Sequence, residues 1–311
     1  MTTSFGPFLL GNHTHPGPRA TNQDTVLSIK LADDRWLLAV ADGMGGLAEG
    51  KLASKTALGA LYRSLLDGAD LVGAVREANT AVKREARGEV MGTTLVAALI
   101  SGRQAEIVNV GDSRAYNSDL LGLIQVTRDH TMAEEAARDG SLPLGPMEGG
   151  STPWAGALAR YLGAAEEVEV DRFGPLDLLE GGWLLLCSDG LHGVMSLDEI
   201  DAFLVRQADA ERAATGLVEE ALARKTGDNV SVVLACWPDP SAQPASSGGG
   251  RSPGGGRSPA KAWRPERILI RSPRPKPSRN NVALAIKVFL VVVPLTIALV
   301  FLFDWIFSLA P

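Results

Sequence analysis

The chain has little of several things, and each shortage excludes something. It has two cysteines in 311 residues, Cys187 and Cys236, far apart and set in apolar runs. That excludes a disulfide framework and a Cys-rich zinc site. Four histidines, none paired at helical or zinc-ligand spacing, give no imidazole metal site. Aromatics are 5% of the chain, yet 45% of it is apolar, so an aliphatic core can form. That content excludes a disordered or collagen-like chain. The opening stretch, MTTSFGPFLLGNHTHPG, lacks the basic start and long apolar run of a secretory signal. The expectation is therefore a cytoplasmic N-terminal part.

The net charge of −6 conceals a split. Residues 241–281 hold nine Lys/Arg and one acid, Glu266, and beyond them Lys287 and Asp304 cancel. That leaves 20 basic and 34 acidic residues, a net −14, before residue 241. So acidic a globular part argues against nucleic-acid binding and fits a protein that holds cations.

Composition divides the chain into a globular part, 1–237, a basic Gly/Pro/Ser-rich linker, 238–281, an apolar run, 282–303, and a short tail, 304–311. The linker cannot bury enough apolar surface to order itself. The 22-residue apolar run is interrupted only by Lys287. As a helix it spans about 33 Å, enough to cross a hydrocarbon core. It reads as a transmembrane helix, with Pro294 as a tolerated kink, Lys287 able to snorkel and Trp305 as an interface anchor. Basic residues before it place the large N-terminal part in the cytoplasm, as a single-pass membrane protein.

Within 1–237, strand-like runs cover Arg35–Ala41, Thr93–Ile100, Glu106–Val110, Gly182–Ser188 and Val230–Trp237. Helical spacing covers Leu47–Leu66, Ala69–Arg87 and Ala210–Ala223. Strands in runs, partly joined by tight turns as in Val110–Tyr116, predict a mostly antiparallel α+β fold without internal repeats.

The placing of aspartate is the informative feature. Asp42 follows an apolar run and precedes Gly43-Met44-Gly45-Gly46. Asp112 follows IVNVG, Asp189 follows LLLCS, Asp228 precedes Asn229 and a strand, and Asp24 ends RATNQD. One such residue reads as a turn or cap. Five carboxylates gathered at strand edges repel unless a cation neutralises them. Hard divalent ions such as Mg²⁺ and Mn²⁺ prefer these oxygen ligands.

The ordered motifs RATNQD (19–24), ADGMGG (41–46), GTT (92–94), VGDSRAY (110–116), TRDHT (127–131), YLG (161–163), CSDGL (187–191) and GDNV (227–230) resemble the metal-dependent protein phosphatases of the protein phosphatase 2C (PPM) family in their bacterial form. The resemblance covers about residues 4–237. It implies two packed antiparallel sheets flanked by helices, with two Mn²⁺ or Mg²⁺ ions at one end and a third at a weaker site. It implies that Asp42 bridges two ions and that the Gly43 carbonyl binds one. Asp189 and Asp228 would hold the first ion, Asp24 would reach the second through water, and Asp112 with Asp189 would hold the third. Arg19 would grip the substrate phosphate. The implied activity is hydrolysis of phosphoSer and phosphoThr in proteins, by water activated between two metals, with no protein nucleophile. The implied partners are phosphoproteins near a membrane, a membrane Ser/Thr kinase and its targets among them. A membrane-tethered pseudophosphatase scaffold and a phosphatase of a small molecule are the alternatives.

Two residues depart from the wider pattern. Met44 stands where many eukaryotic members carry a histidine considered as a general acid, and Gln23 stands where glutamate is usual. The Gly/Pro-rich stretch Asp139–Trp154 occupies the place of the family's flap. Cys187 reads as core, Thr93 and Thr94 as packing behind the metals, and His130 as structural. His13 and His15 read as surface residues of an early strand and turn, and His192 as a packing or capping residue.

Overall fold

The computed structural model describes residues 8–238, except 47, 89 and 139–155. The flap stretch, the linker from residue 239 onward, the apolar run 282–303 and the tail lie outside the described residues. Among the described residues, no helix is long and apolar enough to cross a membrane.

Two five-stranded antiparallel sheets form the frame. One contains β1 (Leu9–His15), β12 (Val230–Cys236), β11 (Trp183–Cys187), β8 (Arg114–Asp119) and β9 (Gly122–Gln125), in that spatial order. The other contains β10 (Asp171–Asp177), β7 (Gln104–Val110), β6 (Leu95–Ser101), β3 (Trp36–Ala41) and β2 (Thr25–Lys30). A two-stranded ribbon pairs β4 (Gly43–Gly45) with β5 (Met91–Thr93). The helices are α1 (Glu49–Leu66), α2 (Leu71–Ala86), α3 (Met132–Arg138), α4 (Asp189–His192), α5 (Leu197–Leu204) and α6 (Ala210–Ala223).

The central strands are continuous apolar runs because both of their faces are covered. Along β3, Trp36, Leu38 and Val40 face a core shared with Leu184, Leu186, Val233 and Ala235 of the other sheet. Leu37, Ala39 and Ala41 alternate to the opposite face and pack with Ala53, Ala57, Leu61 and Val75 of α1 and α2. In the other sheet, Val232 and Leu234 pack with Leu217 and Val218 of α6. Burying each Leu or Val contributes roughly 1.5–3 kcal/mol. Truncating fully buried Leu37 to Ala would cost about 2–5 kcal/mol. Helix starts are fixed locally. Asp70 accepts from Gly73 N at 2.7 Å, Asp209 accepts from Arg212 N at 2.9 Å, and Ser196 with Glu199 closes a capping box on α5.

Three expectations need correction. Thr93–Ile100 is not one strand, because Thr94 leaves the ladder between β5 and β6 to bond Asp42. The first helix begins at Glu49 with Ala48 as its N-cap, two residues later than the helical spacing indicated. The tight turn within Val110–Tyr116 does not join neighbours in one sheet, because it carries the chain from β7 to β8 of the other sheet. The edge and partly exposed strands β1, β2, β8, β9 and β10 have mixed burial, so alternation is blurred.

Candidate active site

Each of the five aspartates stands where an apolar strand stops or starts. Asp42 lies between β3 and β4, Asp112 between β7 and β8, and Asp189 just after β11, where it opens α4. Asp228 precedes β12 and Asp24 precedes β2. Antiparallel pairing brings these ends together from both sheets. The Asp42 carboxyl feels the charges of Asp24, Asp189, Asp228 and Asp112, and lies within hydrogen-bonding reach of Asp24 and Asp189.

The main chain of Asp42 is held on both sides. Its N–H donates to Thr94 Oγ1 at 3.0 Å. Its carbonyl accepts from Thr94 N and Thr93 Oγ1, each at 2.8 Å. Thr93 and Thr94 thus do more than pack, because they set where Asp42 points. Gly43 admits no side chain: a Cβ there would stand 2.0 Å from the Gly50 carbonyl oxygen. That close approach lets β4 run against the first turn of α1.

Burial and crowding govern the charges. Burial, then repulsion from Asp24 and the other three aspartates, raises Asp42 well above the carboxylate range. Burial, then Asp112, pushes Asp189 up to about 7. Burial, then Asp129, pushes Asp112 up to about 6. Burial also raises Asp24, against the hydrogen bonds that its carboxylate accepts. Asp24 Oδ2 accepts from Ser188 Oγ at 2.8 Å. Asp24 Oδ1 and Asp189 Oδ1 are buried with no hydrogen-bond donor among the described residues.

Arg19 reaches the same cluster from the loop after β1. Its Nε donates to the Gly227 carbonyl at 3.0 Å, and its Nη2 donates to Asp228 Oδ2 at 2.7 Å. Asn229 pins that loop by donating to the Pro16 and Thr21 carbonyls and accepting from Gln23 N. Gln23 donates through Nε2 to the Gly46 carbonyl at 2.8 Å, a structural bond. Met44 sits half-buried in β4 opposite Gly92.

Lys51, Ser113 and Ser188 escaped the sequence reading. Lys51 of α1 donates to the Asp24 carbonyl. Nothing in its sequence context marks that role. Thr94 Oγ1 also bonds Ser113 Oγ at 2.7 Å. His192 Nε2 lies 3.1 Å from the Asp112 carbonyl oxygen, and burial drives its pKa down to about 4. His130 is buried and its Nδ1 accepts from Gly111 N at 3.1 Å, in keeping with a structural part. Its Nε2 lies 3.3 Å from Asp171 Oδ2, off the line of a good hydrogen bond. His13 and His15 are both half-buried on β1, and His15 Nδ1 accepts from Gly17 N. Cys187 is fully buried, and burial raises its thiol far above the normal range.

Do these residues suit divalent cations? Among the described residues, no three His, Cys, Asp or Glu side chains are closed into a coordination shell. The carboxylates approach one another pairwise instead. The donor set is nonetheless all oxygen, and two buried carboxylate oxygens lack donors. Crowding of this kind favours either protonation or a cation between the carboxylates. The residues therefore fit hard divalent ions by chemistry.

Comparison with known proteins gives the family. The sequence model of the Protein phosphatase 2C family matches residues 13–225. The serine/threonine phosphatase stp of Listeria monocytogenes is 32% identical over 230 residues, covering 70% of this chain and 90% of the relative. The serine/threonine protein phosphatase PstP of Mycobacterium tuberculosis is 37% identical over 227 residues, covering 70% of this chain and 42% of the relative. The crystal structure of the M. tuberculosis serine/threonine phosphatase PstP/Ppp superimposes with a TM-score of 0.63 at 34% identity, covering 74% of this chain and 99% of that one. The catalytic domain of PstP, solved with two manganese ions, gives a TM-score of 0.60 at 33% identity, covering 75% of this chain and 99% of that one. With the fold, the strand-end aspartates and the match over residues 13–225 in agreement, this chain belongs to the protein phosphatase 2C family.

Proposed function

We propose that this protein, a protein-serine/threonine phosphatase, hydrolyses phosphoSer and phosphoThr with divalent Mn²⁺ or Mg²⁺ held by its strand-end aspartates. Asp42, Asp189, Asp228 and the Gly43 carbonyl would hold the principal ions, with Asp24 contributing. Asp112 and Asp189 would share a third, weaker ion. The observation that carries the reading is the carboxylate cluster, buried at Asp24 and half-buried at the other four aspartates, with Asp24 Oδ1 and Asp189 Oδ1 lacking donors. The manganese ions of the PstP catalytic domain support the choice of metal.

The reaction is attack of water on phosphorus, with rupture of the P–O bond to the serine or threonine oxygen, which leaves with a proton. Bound divalent ions would supply a lowered pKa for water and would offset charge on the phosphoryl oxygens. The chain's own residues do the rest. Thr93 and Thr94 hold Asp42 in place. Arg19 turns a planar guanidinium toward the cluster and offers its fork to a phosphate once it releases Asp228. No side-chain nucleophile is required, and the buried thiol of Cys187 offers none.

The sequence after the described residues supports a membrane tether. Residues 282–303 would span the bilayer once, and the nine basic residues of 241–281 would keep the catalytic domain cytoplasmic. The substrates would then be phosphoproteins near the membrane, such as a membrane Ser/Thr kinase and its targets.

The test is turnover of phosphoSer and phosphoThr peptides by the full chain. Chelation should abolish it and Mn²⁺ or Mg²⁺ should restore it. Full turnover after exhaustive chelation would overturn the metal reading. Protease protection in sealed spheroplasts tests the tether. Loss of the catalytic domain to external protease would invert the topology.

A further inference from the structure

Asp112 and Asp189 each stand two residues beyond the last pair of β8 and β11. Cys187 lies opposite Arg114, and one further step each way reaches Ser188 and Ser113, then Asp189 and Asp112. The single turn of α4 begins at Asp189 and ends at His192, so the two residues lie on one face of that turn. His192 Nε2 is 3.1 Å from the Asp112 carbonyl oxygen. A carbonyl only accepts, so Nε2 carries the hydrogen and donates. The turn that presents one carboxylate therefore also grips the main chain of the other.

The far side of Asp112 is held independently. Gly111 has φ +109°, and a Cβ there would meet Thr94 Cβ at 2.7 Å. His130 N donates to the Gly111 carbonyl at 3.0 Å, and Gly111 N donates to His130 Nδ1 at 3.1 Å. Arg114, two residues on, makes a two-pronged bond to Asp129 at 2.8 and 2.7 Å. With those supports in place, the His192 bond ties the Asp112 main chain to α4.

We propose that His192 is a positioning residue that sets the separation of Asp112 and Asp189, and thereby the affinity of the divalent cation which these two carboxylates share. The proposal rests on the reading of that pair as the weaker ion site. It gives His192 a part in cation binding without direct ligation, as outer partners of metal ligands commonly have.

The experiment is a Mn²⁺ titration of the full chain, with free ion followed by electron paramagnetic resonance. In His192→Leu the weakest-bound ion should loosen by about tenfold, while the tighter ions keep their affinity. His192→Gln, whose side-chain amide can donate to the same carbonyl, should restore the weak ion. Unchanged weak binding in the Leu variant overturns the proposal, as does equal loss in the Leu and Gln variants. If the Leu variant does not fold, His192→Gln and His192→Asn decide the matter. Only the longer amide reaches as far as Nε2, so equal affinities overturn the proposal. Asp112→Asn separates the underlying reading from the proposal. If the weak ion persists there, the ion lies elsewhere and both fail. If it is lost there but kept in His192→Leu, only the part given to His192 fails.

Discussion

The two ends of the β-sandwich are built from the same strands and do opposite things. At one end, Trp36 opens β3 and Trp237 follows β12. Phe8 packs against both rings, with centroids 5.6 Å from Trp36 and 4.9 Å from Trp237. At the other end, β3 runs into Asp42, β11 runs into Asp189, and β12 starts after Asp228. The aromatic end removes apolar area from water and stabilises the fold. The acidic end crowds carboxyl groups, fully buried at Asp24 and half-buried elsewhere, with two oxygens lacking donors, and such crowding opposes folding. The strands between the ends carry enough apolar burial to hold the crowded cluster in place. Stability and function are thus separated along the strand axis, and substitutions at the two ends should separate them too.

The largest effect is expected at the acidic end. Asp42→Asn should lower kcat by roughly a thousandfold or more, about 4 kcal/mol, if metal-assisted stabilisation is lost. The same change should not lower the melting temperature of the chelated protein, because burial and the neighbouring aspartates already hold the Asp42 carboxyl in its neutral form, which Asn resembles. Activity assays and chelated melts check the pair of outcomes. A variant that is inactive and also less stable in chelator would blur the contrast between the ends.

The aromatic end should answer in the opposite way. Trp237→Ala should cost about 3–5 kcal/mol of stability while leaving kcat of the folded protein near that of the parent. Denaturant titration alongside a turnover assay reads both. A kcat that fell with stability would mean that the two ends are coupled through the strands.

A smaller loss is expected at Arg19. Arg19→Ala should lower kcat/KM by about 1.5–3 kcal/mol equivalent, with metal retained. Peptide kinetics at saturating Mn²⁺ give the number. An unchanged kcat/KM would leave Arg19 only its bonds to the Gly227 carbonyl and Asp228.

The mildest effect is a pH dependence confined to the chelated protein. Asp189 is pushed up to about 7 and Asp112 to about 6, from an ordinary 3.8. The folded state therefore holds more protons than the unfolded state between about pH 4 and 7. That stabilising contribution is present below the unfolded value and is lost as pH rises through the folded ones. The chelated melting temperature should fall between pH 5 and 8, and saturating Mn²⁺ should remove this fall. A flat chelated profile would mean that these carboxylates are less crowded than their placement indicates.

Much of this contrast was legible before the fold was known. Asp42, Asp189 and Asp228 stand out because a charged residue next to a fully apolar strand marks where the strand leaves the core. The central strands and the three long helices were legible because both faces of β3 and β12 are covered and the helix stripes are apolar. The outer strands were less so: β1 was expected only as an early strand without bounds, and β2 and β10 alternate weakly and owe their place to pairing with β3 and β7. The break at Thr94 was hidden because its cause lies 52 residues away, in the bond to Asp42.

The order of motifs along the chain was enough to indicate the family, the acidic character of the site and the separation of a globular part from a basic, apolar tail. Those properties are local: composition, apolar periodicity and the polar residue that ends a run are written into short windows. Only the tertiary structure decided which distant side chains serve the same carboxylate. Lys51 reaches the Asp24 carbonyl from α1, Ser188 reaches its carboxylate from the end of β11, and His192 reaches Asp112 from α4. The physical reason is that a hydrogen bond depends on position to a few tenths of an ångström. Such positions are set by sheet register and helix packing, not by the residues next to them in the chain.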